Sequence, residues 1–278
     1  MLIDPDTVSE TNLATQQVYR RDIGRPKVDC VAERLRDIHP TAQVKALQQS
    51  LDELSDAQVE RLATEPWNGA APVRTVICGL TDNFQAQARV NRLALKLGLP
   101  SLSAQVYREG RGAEVTFTFP GVTPACQRCI LSSRYRHYLD NGQGNDVTSH
   151  GTPIFATTRL NALKGFLLLA LLHHGSSHPR WGPLLQRIGK RNLVQLSLDP
   201  DIGTTMGLGV FAQASHGDPR RLFDDTVWLA QDAEAPPTYA TCPDCGGTGD
   251  LRDCTGRIAD TLSTPLNSWA SGTVVLVA

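Results

Sequence analysis

At 278 residues the chain is long enough to bury a full core, as one large domain or two small ones. Hydrophobic residues make up 41% and charged residues 20%, and a formal net charge of −1 gives nucleic acid or an anionic membrane nothing to be drawn to. The start has no basic stretch followed by an apolar one, so no signal peptide is expected, and seven cysteines, with two CxxC pairs among them, suit a reducing cytoplasm and a metal better than disulfides.

The chain opens with a strand-like pair, Leu2-Ile3, that runs straight into Asp4 and Asp6, with Asn12 following. In a mononucleotide-binding βαβ unit an acid at the end of the second strand holds the ribose, about 20 residues after a glycine loop. Asp4 is either such an acid or an ordinary loop carboxylate. Asp22 then precedes a helical pattern running to Ile38 and stopped by Pro40. "AQVKAL" (42–47) alternates like a short strand, and "SDAQVERLA" reads as a helix capped by Ser55. "VRTVICGL" (73–80) has the composition of a buried parallel strand. It breaks at "TDN" and turns into a helix, "FQAQARVNRLALKLG", closed by Gly98. "LPSLSAQVY" and "AEVTFTF" are two strands in succession, which predicts an α/β sheet with an antiparallel edge. Residues 139–151 have turn-forming composition and are expected to form a mobile surface loop. "LKGFLLLALL" (163–172) is too short to span a bilayer and reads as a buried helix. "NLVQLSL" follows as a strand, then a Pro- and acid-rich connection, "CPDC", and a tail ending in "GTVVLVA"; there is no internal repeat.

The strongest chemical signal is the pair "ACQRC" (Cys126, Cys129) and "CPDC" (Cys242, Cys245). Each CxxC lets two thiolates reach one ion from a tight turn, and two such turns complete a tetrahedral, structural zinc site. Unrelated surface knuckles or a redox CxxC are the competing readings. Asp82 ends a predicted strand, where ligands of open α/β sheets bind, and can hold Mg²⁺ on a nucleotide triphosphate. Equally, Asp82 or Thr81 can simply cap the next helix. Lys27 can offset phosphate charge or lie on a solvated helix face. Cys30 and Cys78 read as core thiols, Cys254 has no evident partner, and His173-His174 suit the negative end of a helix dipole. "RYRHY" (134–138) reads as a solvated loop or an anion contact.

Taken together, "LIDPDTVSETNLATQQVYRRDIGRPKV", "TDNFQAQARVN", "GLPSLSAQVYREGRGAEVTFTFPGVTPACQRC" and "CPDC" occur in one order. They resemble the ThiF/MoeB family, whose fold is shared with ubiquitin-activating enzymes. The resemblance covers residues 1 to about 130 and returns at Cys242–Cys245. It implies an α/β, Rossmann-like, mostly parallel sheet, incomplete at its N-terminus, with an antiparallel extension and a Cys₄ zinc site. It places residues 1–278 in a single domain. In that domain, 1–130 are the nucleotide-binding core, and 131–278 are a crossover loop, apolar helix, zinc-closing segment and tail. It further implies ATP-dependent adenylation of the C-terminus of a ubiquitin-like or sulfur-carrier protein, by a cytoplasmic homo- or heterodimer. Residue by residue, the match makes Asp4 the ribose acid, Asn12 part of the nucleotide pocket, Lys27 the phosphate lysine and Asp82 the Mg²⁺ ligand. Cys126, Cys129, Cys242 and Cys245 fall on the zinc ligands.

There are departures. The family's glycine loop and the strand before it would lie upstream of Met1. Thr15 and Gln87 stand where the family has arginines, although Arg89 and Arg92 lie near Gln87. Members that form a thioester carry their nucleophile between the two CxxC pairs, and no cysteine lies there. An inactive scaffold or partner subunit that binds a carrier protein or a complete activating enzyme is therefore the alternative.

Overall fold

The computed structural model describes residues 1–65, 74–131, 135, 151–188, 191–197, 226–230, 242, 244–245 and 273–277. Its strands are β1 (Leu2–Ile3), β2 (Ala46–Leu47), β3 (Thr75–Gly79), β4 (Ser101–Tyr107), β5 (Gly112–Thr118), β6 (Arg191–Ser197), β7 (Thr226–Ala230) and β8 (Thr273–Val277). They form one sheet in the order β2-β1-β8-β3-β4-β5-β6-β7. From β2 to β4 all neighbours are parallel, and β5, β6 and β7 are added antiparallel. The α/β class with a parallel core and an antiparallel extension is therefore as the sequence predicts; β7 falls in the stretch read only as a connection.

The helices are α1 (Lys27–Ile38), α2 (Asp56–Thr64), α3 (Phe84–Leu97), α4 (Gln127–Ile130), α5 (Ile154–His173) and α6 (Leu184–Ile188). Ser55 caps α2 as expected, accepting from the Gln58 N–H while the Gln58 side chain returns to the Ser55 N–H. The helix expected from Asp22 starts later, at Lys27. Gly24 takes φ +84°, and Pro26, at the N-cap, cannot donate a backbone hydrogen bond. Asp22 instead accepts from the Tyr19 N–H at 2.9 Å and closes a 3₁₀ turn over Arg20–Asp22. The expected strand at 42–47 shrinks to Ala46–Leu47. Gly98 closes α3 in the left-handed region, as expected.

Alternation along the parallel strands covers the sheet on both faces. Ile3 and Ile77 point to one side, against Val59 and Ala63 of α2 and Val90, Leu93 and Ala94 of α3. Val76 and Cys78 point to the other, where Leu160, Leu167 and Leu171 of α5 meet Leu102, Val115, Phe117 and Val194. Leu2 pairs in register through β8 with Cys78 and packs on Val28 and Ala32, so α1 lies on the α5 side. Burying a strand on both faces demands an apolar residue at nearly every position, which is why β3 reads as a continuous run rather than an alternating one.

The expected burial of 163–172 is met by Leu167, Ala170 and Leu171, while Leu169 is 39% exposed. Among the described residues α5 is the one helix long and apolar enough, by length and composition, to cross a membrane. Arg74, just before β3, donates to the carbonyls of Leu172 (2.7 Å) and His174 (3.1 Å) and neutralises the exposed end of α5. The turn between β4 and β5 passes through Gly110 at φ +91°, where an added Cβ would stand 2.8 Å from Ala156 Cβ in the first turn of α5.

One placement could not be read from the sequence. A doubly wound sheet of order 3-2-1-4 puts the strand that leads to the phosphate turn between the ribose-acid strand and the next parallel strand. Here β8 holds that position, pairing in parallel with β1 (Leu2↔Leu276, Ile3↔Val277) and with β3 (Thr75↔Thr273 to Gly79↔Val277). The strand in that position comes from residues 273–277, far along the chain from β1 and β3.

Candidate functional site

Two arrangements bring chemistry-bearing residues together. The first is the cysteine cluster. Cys126 stands at the N-cap of α4 and Cys129 within that single turn; Cys242 and Cys245 face them across more than a hundred residues of sequence. All four Sγ atoms lie within 4.8 Å of one another, with Cys126–Cys129 at 3.9 Å, Cys126–Cys242 at 3.8 Å and Cys129–Cys245 at 3.3 Å. Four sulfurs each about 2.3 Å from a zinc ion would stand roughly 3.8 Å apart. The four cysteines can therefore hold a metal ion. Without a cation the cluster cannot carry four negative charges. Hydrogen bonds to Cys129, Cys242 and Cys245, together with burial, push the Cys126 thiol well up, while bonds from Cys126, Cys129 and Cys245 hold Cys242 down.

Around the cluster lie polar residues that the sequence reading missed. Arg128, inside the first CxxC, pairs at 2.9 Å with Asp244, inside the second, and its guanidinium also covers the Tyr135 ring at 5.3 Å. Asp244 also accepts from Asn91 Nδ2 of α3 at 3.0 Å. Asn91 Oδ1 in turn accepts the Gln127 N–H at 3.2 Å. The signal that could have found them is composition: an aspartate and an arginine standing between paired cysteines, and an asparagine on the buried face of a helix.

The second arrangement lies at the carboxyl ends of β1 and β3, the position where the ligand crevice of an open α/β sheet lies. Asp4 directly follows β1 and is buried, accepting the Asp6 N–H at 2.8 Å. Burial raises its carboxyl above the ordinary range. The Asp6 N–H and the Lys27 charge pull it back, and the Asp6 and Asp82 charges push it further up. Lys27 and Asp82 thus lie close enough to Asp4 to act on it, although they come from α1 and from the turn after β3. Lys27 Nζ donates to Asp6 Oδ2 at 2.8 Å, so the lysine is held at the crevice rather than on a free helix face. Asp82 is not the cap of α3: Asn83 is, accepting the Ala86 N–H at 3.0 Å. Asn12 lies within a 3₁₀ turn (Glu10–Ala14), where its Oδ1 accepts the Ser9 N–H at 2.9 Å and the Ser9 hydroxyl at 3.1 Å, both local to that turn.

The two arginine candidates near α3 serve elsewhere or stay outside. Arg89 donates to the Leu51 carbonyl, to the Leu54 carbonyl at 2.5 Å and to Asp56 at 3.3 Å, which pins the turn before α2. Arg92 is exposed. Gln87, in the position of a family arginine, is buried and donates to the carbonyl of Thr81 at 2.5 Å. Cys30 and Cys78 are core thiols as expected, and burial pushes Cys78 up to about 12. His174 packs its ring on Phe119 at 4.9 Å. Tyr135, from the stretch read as a solvated loop, is buried against Phe84 at 4.7 Å. The loop at 139–150 and Cys254 lie outside the described residues.

A mixed α/β sheet with acids and a lysine at the carboxyl ends of its parallel strands, and four cysteines that can hold a metal ion, defines the class of architecture. The match of residues 1–217 to the ThiF family places the chain there: it belongs to that family. It is 29% identical over 131 residues to the sulfur carrier protein ThiS adenylyltransferase of Escherichia coli K12, covering 47% of each chain. The chain thus spans about half the length of that relative. Among solved structures, E. coli MccB with succinimide has a TM-score of 0.49 at 16% identity, over 70% of this chain and 52% of that one. PaaA has a TM-score of 0.42 at 16% identity, over 70% of this chain and 60% of the other.

Proposed function

We propose that the protein adenylates the C-terminal carboxylate of a ubiquitin-like or sulfur-carrier protein, using ATP. The observation that carries this reading is the convergence of Asp4, Lys27 and Asp82 at the carboxyl ends of β1 and β3, where nucleotides bind in open α/β sheets. In this reading Asp4 accepts the ribose hydroxyls, Asn12 lines the nucleotide pocket, Lys27 turns from Asp6 to the phosphates, and Asp82 holds Mg²⁺. The carrier's carboxylate oxygen forms a bond to the α-phosphorus while the bond to pyrophosphate breaks. Negative charge builds on the departing phosphates, which is what Lys27 offsets. The cysteine centre holds zinc and is structural, since four thiolates leave no open coordination position. The reading further takes residues 1–278 as one domain working in the cytoplasm as a homo- or heterodimer, and, with no cysteine between Cys129 and Cys242, expects no thioester with the carrier.

The test is ATP–pyrophosphate exchange with a candidate carrier protein. Exchange that falls by at least roughly 100-fold in Asp82→Ala supports the reading, a loss typical of removing one charge-stabilising group; exchange unchanged by that substitution overturns it. One observation favours a second reading, an inactive scaffold. Thr15 and Gln87 supply no charge where the resemblance expects arginines, and Gln87 is turned inward onto backbone. Carrier binding with no exchange, by the chain alone or with a partner subunit, selects the scaffold.

A further inference from the structure

We infer that the four-cysteine centre and the turn carrying Asp82 form one mechanical unit, joined by a buried relay in which Gln127 and Gln87 are positioning residues. The inference rests on the proposed role of Asp82 only for its consequence, not for its geometry. The relay starts between the cysteines of the second pair. Asp244 Oδ2 accepts from Asn91 Nδ2 at 3.0 Å, and Asn91 Oδ1 accepts the backbone N–H of Gln127, between the first pair, at 3.2 Å. Gln127 Nε2 donates to Gln87 Oε1 at 3.2 Å, and Gln87 Nε2 donates to the Thr81 carbonyl at 2.5 Å. Thr81 immediately precedes Asp82.

Three features separate this chain of contacts from ordinary core packing. Gln87, Asn91 and Gln127 are each at most 3% exposed. Three buried amides are costly where apolar residues would fill the same space, unless every amide finds partners. Donors and acceptors alternate along the relay without conflict, so each amide is held in one orientation. Gln87 and Asn91 are also one turn apart on α3 and hence on one face, which carries the connection from the cysteines to the crevice along a rigid element. At the far end the turn is secured twice more. The Asn83 N–H donates to Thr81 Oγ1 at 3.1 Å, and Asn83 Oδ1 caps α3. A cation that ties the two knuckles together would hold Asp244 against the first CxxC, and the relay passes that restraint to Thr81 and so to Asp82.

The test uses the full chain loaded with zinc and no nucleotide. Hydrogen exchange at the Asn83 and Ala86 amides is measured in Gln127→Met and Gln87→Met, which fill similar volume without the amide, and in the double variant. The expected result is exchange roughly tenfold faster at those two amides in either single variant, the equivalent of about one net hydrogen bond. Zinc content and protection in β5 should stay unchanged, and the double variant should open the turn no further than a single one, because both break the same path. Unchanged exchange at Asn83 and Ala86, a loss spread evenly through β4 and β5, or effects that add in the double variant would each overturn the relay. Binding of Mg·ATP is measured separately by calorimetry. A protein that shows the local opening but binds no Mg·ATP removes the nucleotide reading and leaves the relay standing.

Discussion

Asp4 is a carboxylate kept out of water at the mouth of a crevice, next to two other acids and one lysine. Its pKa is raised in the fold, chiefly by burial, so the folded state takes up a proton more readily than the unfolded one. The associated stability is therefore fully present below the ordinary value of 3.8 and is lost as pH rises through the folded pKa. Asp4→Asn keeps an oxygen for the Asp6 N–H and removes the charge. It should raise the urea midpoint at neutral pH, leave it unchanged at pH below 3.8, and weaken nucleotide binding. A variant less stable than the parent at neutral pH would show that the carboxylate is held by more than it loses. Asp4 and Asp82 stood out in the sequence as acids at predicted strand ends, and Lys27 through the resemblance; the fold brings all three near one another. That Lys27 is tied to Asp6, and that Asn83 rather than Asp82 caps α3, was not legible: both are choices between neighbouring groups made by three-dimensional distance.

Among the elements, β8 is the one whose role depends wholly on its surroundings. Read alone, residues 273–277 are a short β-branched run with no claim to any position in a sheet. In the fold they lie between β1 and β3 and hydrogen-bond to both, so they carry the ladder on which the two halves of the crevice are aligned. Val275→Pro removes a backbone N–H and fixes φ in the middle of a strand paired on both sides, where proline is essentially not tolerated. Faster hydrogen exchange at the backbone of residues 75–79, with protection retained between β5 and β6, is the expected outcome. Unchanged protection in β3 would mean that β8 is not part of the native sheet. Helix ends were legible where their signals are local. The Ser55 cap of α2 and the Gly98 stop of α3 are local signals, read correctly because they act within four residues. The start of α1 was misread because Gly24 and Pro26 outweigh a plausible aspartate cap.

For the whole molecule, the cysteine cluster brings together segments 116 residues apart, Cys126 to Cys242, and a metal ion held there would restrain a long stretch of chain that loop closure alone would leave free. Removing the metal with a chelator should lower the melting temperature and loosen both knuckles together. Cys245→Ser should do the same and reduce the metal content of protein purified without added zinc. A stripped protein melting at the temperature of the loaded one would show that the centre contributes nothing to folding. The sequence by itself singled out the four cysteines that the fold brings together, because two CxxC pairs suit one tetrahedral ion. It also determined the α/β class, because a doubly buried strand and an amphipathic helix differ in the period of their apolar residues. Only the tertiary structure decided that β8 takes the central slot, that Gln87 turns onto Thr81 instead of facing the crevice, and that Asp244 links the knuckles to α3. Those outcomes rest on contacts between residues far apart in the chain. A local pattern can specify a residue's own backbone preference, but it carries no record of which distant group will satisfy a buried hydrogen bond.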